Sequence, residues 1–420
     1  MPGTDSPTAK VLRDLETTRP WQEDLYRHLH QHPELSHQEH KTAEQVAKRL
    51  TSFGYEVHAG VGGTGVVGVL ANGDGPSVLL RADMDALPVE EKTGLPYASA
   101  VTARDLDGKE VPVGHACGHD VHITCLLGAS ALLADARRDW QGRVIALFQP
   151  AEEQAAGARR LVDDGLADVV GHVDVALAQH VGPLPSGVVA TRPGEFMAGA
   201  DDLRITVYGR GGHGSMPHTS VDPVVLAAMI VVRLQTVISR EIAPTEPAVL
   251  SVGTIHAGVK SNVISDHAVL DLDIRSYSDQ SHDTILDAVK RIVIAECQAS
   301  GSPQDPEFEH LHQFPPTQND PATTARVRAA FDAFFGDRAQ DLALLPASED
   351  FSDIPNALSV PFTYWGIGGT DPDAYQRAAE AGRISQDIPS NHSPGFAPAI
   401  QPTLDTGTQA MVAAAMAWLA

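Results

Sequence analysis

Three short apolar segments, each followed at once by ionisable residues, constrain the fold of this chain more than any other feature. The segments are SVLLRADMD, RVIALFQPAEE and DVALAQH. Short continuous apolar runs are typical of strands buried on both faces, as in a parallel sheet covered by helices. Ligands of open α/β sheets bind outside the carboxyl ends of the strands. The ionisable residues lie at that end in all three segments, which predicts that a ligand crevice lies there: Arg81, Asp83 and Asp85 in the first, Glu152 and Glu153 in the second, and His180 in the third.

A different pattern in the middle of the chain predicts an inserted domain. Apolar and polar residues alternate from Leu203 to Val207 and from Leu270 to Ile274, as in strands with one buried face. With the intervening helical segments, the elements follow the β-α-β-β-α-β order of a ferredoxin-like unit. We therefore predict an α/β domain with a mostly parallel sheet flanked by helices, formed by residues 1–196 and 313–420. An inserted α+β ferredoxin-like (βαββαβ) domain is expected over residues 197–312.

Charge and cysteine content narrow the possible partners and compartment. The chain has 30 Lys and Arg against 54 Asp and Glu, a net charge of −24, which argues against binding to nucleic acids or anionic membranes. The three cysteines are too few and too scattered for a disulfide framework. The first twenty residues lack the apolar segment of a secretory signal, and no apolar run reaches the ~18 residues of a membrane span. We expect a cytoplasmic protein with neither nucleic acid nor membrane as partner.

The segment GHACGHDVH (114–122) concentrates cysteine, histidine and aspartate within nine residues. Thiolate and imidazole are ligands for zinc and similar divalent ions, so the segment predicts metal binding. The chain has no CxxC pair, which argues against a structural zinc site. A polar loop with a buried Cys117, or a Cys117 thiolate nucleophile with a histidine partner, remain alternatives. Chelation separates them, because a thiol enzyme keeps its activity in EDTA.

The pair Glu152 and Glu153 follows a predicted strand directly. Adjacent carboxylates on an irregular segment point in different directions, so one can bind a metal while the other accepts a proton from water. A solvated acidic helix start is the alternative. His392, in NHSPGF, is a weak candidate by itself. The histidine-rich segment HLHQHPELSHQEH (28–40) is interpreted as solvent-facing or structural. His213, in the glycine-rich GRGGHGSMPH, is a candidate contact for substrate or transition state.

Taken in order along the chain, these motifs resemble those of peptidase family M20, and most of all its branch of aminoacylases and hippurate hydrolases. The resemblance includes HQHPELS, LRADMDALPVEE, HACGHD, FQPAEE, AQHV, GGHGSMPH, ASEDFS and NHSPGF, and it covers nearly the whole chain. It implies a catalytic α/β domain interrupted by a lid domain that often mediates dimerisation. We accordingly expect a homodimer formed through the lid.

The resemblance also implies a role for each matching residue. The metal ligands would be Cys117, His119, Glu153, His180 and His392. Glu152 would be the general base, and Asp83 would support the site from behind the ligands. His213, Asn262 and Arg275 match lid positions that in relatives meet the substrate carboxylate or the oxyanion. His115 and His122 do not fall on ligand positions. The ligand set implies two divalent ions per subunit, either zinc or manganese, with cobalt or nickel also possible.

The predicted function is metal-dependent hydrolysis of the amide bond of an N-acyl amino acid or a related small amide. Metal-activated water would attack the acyl group, and Glu152 would transfer the proton to the departing amine. A dipeptidase or carboxypeptidase on the same scaffold is an alternative, because the shape of the acyl pocket decides between them. A non-catalytic protein that binds metal or a small molecule is a third reading. The presence of Glu152 argues against it, since a binding protein needs no base.

Overall fold

The computed structural model describes residues 6–420, and these residues divide into two compact units. The first consists of 6–194, Asn319–Ala343 and Asp350–Ala420, and the second of Glu195–Gln318 and Leu344–Glu349. The predicted boundaries differ by two residues at the first junction and by six at the second, and the short segment Leu344–Glu349 also belongs to the second unit. There the Leu345 amide donates to Phe196 O (3.0 Å), and the Tyr277 hydroxyl donates to Leu345 O (3.1 Å).

The first unit begins with a series of helices and strands that alternate along the chain. Its helices are α1 (Pro7–Val11), α2 (Leu15–Gln31), α3 (His40–Ser52), α4 (His119–Asp135), α5 (Gly157–Asp163) and α6 (Leu166–Val170). Its strands are β1 (Glu56–Val61), β2 (Gly65–Asn72), β3 (Ser77–Asp83), β4 (Thr102–Arg104), β5 (Glu110–Pro112), β6 (Gly142–Gln149), β7 (Val175–Pro185) and β8 (Val189–Thr191).

The middle of the chain adds mostly long strands and two long helices. The strands are β9 (Gly194–Met197), β10 (Gly199–Tyr208), β11 (Gly212–His213), β12 (Ala248–Ala257), β13 (Val263–Ile264), β14 (His267–Ser276), β15 (Glu307–Phe314) and β16 (Thr317–Asn319). The helices are α7 (Pro223–Glu241) and α8 (Asp279–Ala299). The predicted end of the inserted domain, residue 312, therefore lies inside β15.

The chain then returns to the first unit and completes it. The returning elements are α9 (Pro321–Phe335), β17 (Ala339–Asp341), α10 (Asp353–Leu358), β18 (Phe362–Thr370), α11 (Pro372–Glu380), α12 (Ile384–Asp387) and α13 (Ile400–Leu419). Helix α13 contains the apolar C-terminal sequence AMVAAAMAWL, and most of it is buried in the first unit.

The first unit is built on a large, mostly parallel sheet, as the sequence predicted. Within residues 6–420 the sheet has eight strands in the order β1-β2-β6-β3-β7-β18-β8-β17. Its centre, β6-β3-β7-β18, is parallel throughout, while β1 and β2 pair antiparallel at one edge. Every residue of β3 is buried, which explains its continuous apolar sequence. Helices flank the sheet, and α4 and α13 pack against each other and against its central strands.

The second unit has a separate apolar core around an antiparallel sheet. Its four long strands are ordered β12-β14-β10-β15, and each neighbouring pair is antiparallel. Leu203, Ile205 and Val207 in β10 are fully buried, as the alternation predicted. Helices α7 and α8 pack on the sheet and on each other. Asp222 caps α7 by accepting a hydrogen bond from the Val224 amide (2.9 Å).

Helix α7 is also long and apolar enough to cross a membrane by length and composition, and it is the one helix with this property among residues 6–420. One face of it is buried in the second unit, through Leu226, Ile230, Leu234 and Val237. A helix that buries one face in a protein core satisfies the same criteria without a membrane, so this observation is weak support for a span.

A buried carboxylate joins two layers of the second unit. Asp201, in β10, has no exposed surface. It accepts hydrogen bonds from His282 of α8 (3.2 Å) and from His310 (2.8 Å) and Gln313 (2.8 Å) of β15. Burial acts to raise the pKa of Asp201, but these donors more than offset it and lower the pKa. The bond to Asp201 raises the pKa of His282 despite its partial burial. Asp283 also lies 3.6 Å from His282.

These contacts predict a pH-dependent contribution to stability. Asp201→Asn should lower the free energy of unfolding by about 1–3 kcal/mol, because buried donors lose a charged acceptor. His282 contributes stability below its unfolded pKa of about 6.5 and loses it as the pH rises through its raised folded pKa. The Asp201 carboxylate contributes stability above its unfolded pKa of about 3.9, and this contribution is lost as the pH falls through its lowered folded pKa.

Urea unfolding between pH 4 and 9 checks the prediction. The difference between wild type and His282→Gln should be largest between about pH 4 and 6.5 and should shrink at higher pH. His256→Gln, at an exposed histidine of the same unit, is the control. A His282→Gln difference that grows as the pH rises would contradict the assigned sign.

Candidate metal centre

The predicted site residues of the first unit follow adjacent central strands. Strand β3 ends at Asp83, which pairs with Gln149 at the end of β6, just before the two glutamates. His180, by contrast, lies inside β7 and not at its end, because β7 continues to Pro185 alongside β18. Its position along the sheet nevertheless allows it to take part in the same site as Asp83. Arg81 of β3 pairs with Ala178 of β7, so two residues further on Asp83 and His180 lie at the same level.

Cys117 and His119 are placed by a tight turn into helix α4. Gly118, between them, adopts a left-handed conformation with φ 86°. A Cβ atom at this glycine would lie 2.4 Å from Val181 Cγ1, so a side chain cannot be accommodated. The left-handed glycine allows Cys117 to precede the helix while His119 begins it. The fixed turn thus directs both side chains into the first unit, where Cys117 is 7% exposed and His119 fully buried.

The ligand atoms of the predicted metal-binding residues converge in the first unit. The Cys117 thiol, an imidazole nitrogen of His119 and a Glu153 oxygen all lie within 4.8 Å of one another. His180 Nε2 is 3.4 Å from Cys117 Sγ, and His392 Nε2 is 3.4 Å from Glu153 Oε1. All five residues therefore form one continuous cluster. Asp83, His119, His122 and His180 make an overlapping second group.

The polar atoms of this cluster fit a metal ion. Within residues 6–420, His119 Nε2 and Glu153 Oε1 are buried and have no hydrogen-bond partner, although they lie 3.9 Å apart. Buried polar atoms without partners are costly, and a cation between them satisfies both. Burial and the carboxylates of Glu153 and Glu152 raise the pKa of Cys117 well above its usual range. The thiol therefore ionises there only next to a cation, which argues against an unassisted thiolate nucleophile.

The rings of two ligand candidates are oriented by main-chain acceptors. His119 Nδ1 donates to Asp85 O (2.8 Å), and His180 Nδ1 donates to Val181 O (2.8 Å). Each bond leaves Nε2 of the same ring directed at the cluster, the arrangement usual for metal-binding histidines. Burial and the neighbouring His122 lower the pKa of His180 well below its usual range, so this ring is neutral and can ligate.

His115 and His122 were predicted not to be ligands, and neither is among the five residues of the cluster. His122 uses both ring nitrogens: Nδ1 bonds to Asp83, and Nε2 accepts from the Val181 amide (2.8 Å). His122 therefore has no nitrogen free for an ion. His115 is 3% exposed, and burial lowers its pKa to about 4. Among the described residues neither of its ring nitrogens has a hydrogen-bond partner.

Asp83 lies behind the cluster in a network of buried charges. It bonds to His122, accepts from Arg81 (2.7 Å) and lies 3.6 Å from His119 Nε2. Burial by itself would raise the pKa of Asp83, but His119, His122 and Arg81 hold it well below its usual range. The resulting permanent carboxylate also helps to raise the pKa of His119 to about 10, against the effect of burial. The site therefore strongly favours positive charge at His119.

Glu152 and Glu153 lie next to each other on a short 3₁₀ turn, Glu152–Gln154. Glu152 is 5% exposed, and its Oε2 lies 3.9 Å from His119 Nε2. Glu153 faces His392 as well as His119. The contact with Glu153, whose Oε1 lies 3.4 Å from His392 Nε2, raises the pKa of His392. The two carboxylates thus have different neighbours, which is the arrangement that one ligand and one base require.

The remaining predicted site residues lie in the second unit. His213 in β11 pairs with Val263 in β13, and the Gly214 amide donates to Asn262 O (2.9 Å), so His213 and Asn262 are neighbours. Arg275 lies in β14, where its guanidinium donates to Asp273 (2.7 Å) and to the Ser348 hydroxyl (2.7 Å).

Asn391, in the NHSPGF motif, is a residue whose role the sequence did not predict. Its side-chain amide donates to Cys117 O (3.0 Å) and to Val181 O (3.0 Å). These bonds hold the NHSPGF turn against the Cys117 loop and β7, next to His392, whose own φ is 67°. The only sequence signal was that Asn391 precedes a candidate ligand.

The histidine-rich segment 28–40 contains both buried and exposed histidines. His30 is buried between Asp120 (2.6 Å) and Glu91 (3.1 Å), while His28 and His32 are exposed.

The fold and the ligand cluster together define a metal-binding hydrolase of the α/β class. The chain belongs to peptidase family M20/M25/M40, whose model matches residues 79–386. The resemblance of the motifs is thereby confirmed, and the protein is a hydrolase of amide carbon–nitrogen bonds.

Similar proteins include two curated enzymes and one solved structure. Thermostable carboxypeptidase 1 of Saccharolobus solfataricus is 36% identical, and the aligned region covers 86% of this chain and 88% of the carboxypeptidase. N-acetyl-L-cysteine deacetylase of Bacillus subtilis is 36% identical, and the aligned region covers 82% of this chain and 80% of the deacetylase. The crystal structure of Bacillus subtilis YxeP, a dinuclear metal-binding peptidase of family M20, has a TM-score of 0.76 and 28% identity. It covers 96% of this chain and 99% of the other.

The cluster predicts that Cys117→Ser loses metal. A serine hydroxyl stays protonated and is a poor ligand, so affinity should fall by more than the ~10–100-fold typical of losing an outer partner. Elemental analysis after dialysis measures metal content, and EDTA should abolish the activity of the wild type. Cys297→Ser, at a buried cysteine of the second unit, is the control and should keep its metal. Unchanged stoichiometry in Cys117→Ser would exclude the thiolate as a ligand.

Proposed function

We propose that the protein hydrolyses the amide bond of N-acyl amino acids. The observation that carries the proposal is Glu152, a nearly buried carboxylate 3.9 Å from the partnerless Nε2 of His119 in a five-residue ligand cluster. A binding protein has no use for a proton acceptor at that place. The similarity to N-acetyl-L-cysteine deacetylase, 36% identical over 350 residues, supports the substrate class.

Cys117, His119, Glu153, His180 and His392 are the residues that would hold two divalent ions. Bound there, the ions supply Lewis acidity for the substrate carbonyl and lower the pKa of a water molecule toward neutrality. A mixed set of thiolate, imidazole and carboxylate suits zinc or manganese, and cobalt or nickel can replace them. The three cysteines are free and buried, which suits a reducing compartment such as the cytoplasm.

Glu152 transfers the proton during the reaction. Its carboxylate accepts a proton from the attacking water and returns it to the amine as the carbon–nitrogen bond breaks. Because Glu152 is 5% exposed, bulk water does not compete for this proton.

His213 stabilises the negative charge that develops on the carbonyl oxygen. Its Nδ1 accepts hydrogen bonds from the Ser215 amide (3.1 Å) and hydroxyl (2.8 Å), so the ring hydrogen of the neutral form lies on Nε2. This tautomer presents an N–H donor without the need for a positive charge. One such preorganised donor typically contributes about 3 kcal/mol to catalysis.

Arg275 and Asn262 recognise the carboxylate of the amino-acid part of the substrate. Arg275 is held by Asp273 and Ser348, and 30% of its side chain is exposed. One well-placed guanidinium outweighs the net charge of −24, because the more distant charges are screened by salt. An acidic protein can therefore bind an anionic substrate.

The second unit serves as a ferredoxin-like lid and dimerisation domain. Its long elements follow the order β10-α7-β12-β14-α8-β15, and β12 forms an edge of the sheet. Beside this edge, α7 exposes apolar side chains that a monomer would leave in water: Val225 (58%), Met229 (50%) and Val232 (67%). An open edge strand next to an apolar helix face suits a second copy of the same surface, related by twofold symmetry.

A carboxypeptidase or dipeptidase activity is the alternative on this scaffold. The similarity to thermostable carboxypeptidase 1, at 36% identity over 364 residues, favours it specifically. Both reactions need the same base and ligands, so the substrate screen decides between them.

Glu152→Gln should reduce kcat by about 10²–10⁴-fold and leave the metal content intact, because the amide cannot accept the proton. Rates are measured on N-acetyl and N-benzoyl amino acids and on dipeptides. Asp163→Asn, at an exposed aspartate of α5, is the control and should keep full activity. Near-normal turnover in Glu152→Gln would remove this residue as the base. Preference for dipeptides would favour the alternative, and no hydrolysis of any of the three would refute the proposal.

Met229→Glu should convert a dimer into a monomer, because it places a charge in the centre of the apolar face. Light scattering coupled to size exclusion measures the mass at a fixed protein concentration. Leu106→Glu changes an equally apolar residue, 72% exposed in the first unit, and should leave the dimer unchanged. A wild-type monomer, or a Met229→Glu dimer, would contradict an interface on this face.

A further inference from the structure

The turn that carries Glu152 and Glu153 has an unusual backbone. Ala151, before the turn, and Ala155, after it, have φ values of 49° and 50°. Few residues with a side chain adopt this left-handed conformation, so the surrounding contacts must hold it. What holds the turn therefore also determines where the two glutamate side chains lie.

Three consecutive amides of this turn donate to two buried carboxylates. The Ala151 amide donates to Glu39 Oε1 (2.9 Å). The Glu152 amide donates to Asp85 Oδ1 (3.2 Å), and the Glu153 amide donates to Asp85 Oδ2 (3.1 Å). Glu39 is fully buried and Asp85 is 1% exposed. Asp85 thus binds the backbones of both glutamates, one with each oxygen. We refer to Glu39 and Asp85 as the carboxylate clamp.

The clamp is itself fixed by neutral donors and, at Asp85, by His119, whose Nδ1 lies 3.3 Å from Oδ1. Asp85 accepts from the Ser36 hydroxyl (2.7 Å), and Glu39 accepts from the Thr64 hydroxyl (2.6 Å) and the His37 amide (2.9 Å). In the part of the chain that the structure describes, neither carboxylate pairs with a lysine or an arginine. Hydrogen bonds are therefore the main compensation for burying these charges, and the geometry of those bonds is tightly constrained.

Asp85 also determines the position of a predicted ligand. Its main-chain oxygen accepts from Nδ1 of His119, which leaves Nε2 directed at the metal cluster. One residue at the end of β3 thus contacts the backbone of the base, the backbone of one ligand and the ring of another. No other contact described above links these three groups to a single residue.

We propose that Asp85, supported by Glu39, is a positioning residue that sets the distance of the Glu152 carboxylate from the reacting water. The proposal rests on the assignment of Glu152 as the base. If Asp85 had only a structural role, replacing it would lower turnover only as far as it lowered the fraction of folded protein. A positioning residue affects kcat out of proportion to stability, because a shift of about 1 Å at the base can cost ~10²-fold in rate.

Asp85→Asn is the direct test, because the amide keeps the size of the side chain but presents an NH₂ group to one of the two backbone donors. We expect kcat to fall about 100-fold while KM changes less than about threefold. The metal content should stay close to the wild-type value, since the shorter bond from His119 (2.8 Å) goes to the main-chain oxygen, which the substitution keeps, and the side-chain contact (3.3 Å) is the longer one.

Asp174→Asn is the matched control. Asp174 accepts from the Ser77 amide (2.8 Å) at the opposite end of β3, so the control also loses a bond between carboxylate and backbone. Asp174 is 40% exposed and Asp85 only 1%, so Asp85→Asn should lower the melting temperature more, but at a temperature where both variants are folded only Asp85→Asn should lose turnover. The proposal is overturned if the kcat values of the two variants agree within threefold. It is also overturned if saturating metal restores kcat in Asp85→Asn.

If Asp85→Asn does not fold, the variant Ser36→Ala tests the positioning role of Asp85 instead. This change removes only the hydroxyl that fixes Asp85, and kcat should fall about fivefold at wild-type metal content. An unchanged kcat in Ser36→Ala would reject the proposal. Failure of the proposed function is separate, since it would appear as a wild type that hydrolyses none of the amides. Failure of the positioning role would appear as an active wild type with equally active variants.

Discussion

The structure around the predicted site depends on a concentration of negative charge that is kept away from water. Asp83, Asp85, Glu152 and Glu153 lie close together and are largely buried, and the thiol of Cys117 adjoins them. Protein interiors disfavour such charges unless a cation compensates them. Arg81 compensates Asp83 from behind, but the Nε2 atom of His119 and the Oε1 atom of Glu153 have no hydrogen-bond partner among residues 6–420. The architecture of the first unit therefore creates a demand for divalent ions.

Most of the fold could be predicted because its signals are local. Continuous apolar runs indicated the buried strands β3, β6 and β7, and the alternation from Leu203 to Val207 indicated the half-buried sheet of the second unit. Two features could not be predicted this way. His180 was expected at a strand end, but pairing with β18 extends β7 as far as Pro185, and nothing near His180 encodes that partner. The transfer of Leu344–Glu349 to the second unit depends on equally distant contacts.

For the site, residue types predicted the chemistry, but the supporting contacts were not visible. Cysteine and histidine crowded within residues 114–122, together with the adjacent Glu152 and Glu153, suffice to suggest a metal. The roles of Asp85 and Asn391 lie in hydrogen bonds to backbone atoms far away in sequence. Any polar residue of suitable length can make such bonds, so composition carries no signal for them. The roles of the candidate ligands and of His213, Asn262 and Arg275 remain predictions for the experiments described.

The strand order of the large sheet has a consequence for synthesis of the chain. Strand β18 lies between β7 and β8, yet it is made almost two hundred residues later, after the whole second unit. A nascent chain that has emerged only as far as β8 therefore has an open gap in its sheet and lacks His392. Such a chain exposes the unpaired edge of β7, where association with other chains or a chaperone is favoured. The five candidate ligands are thus together only after residue 392 has left the ribosome.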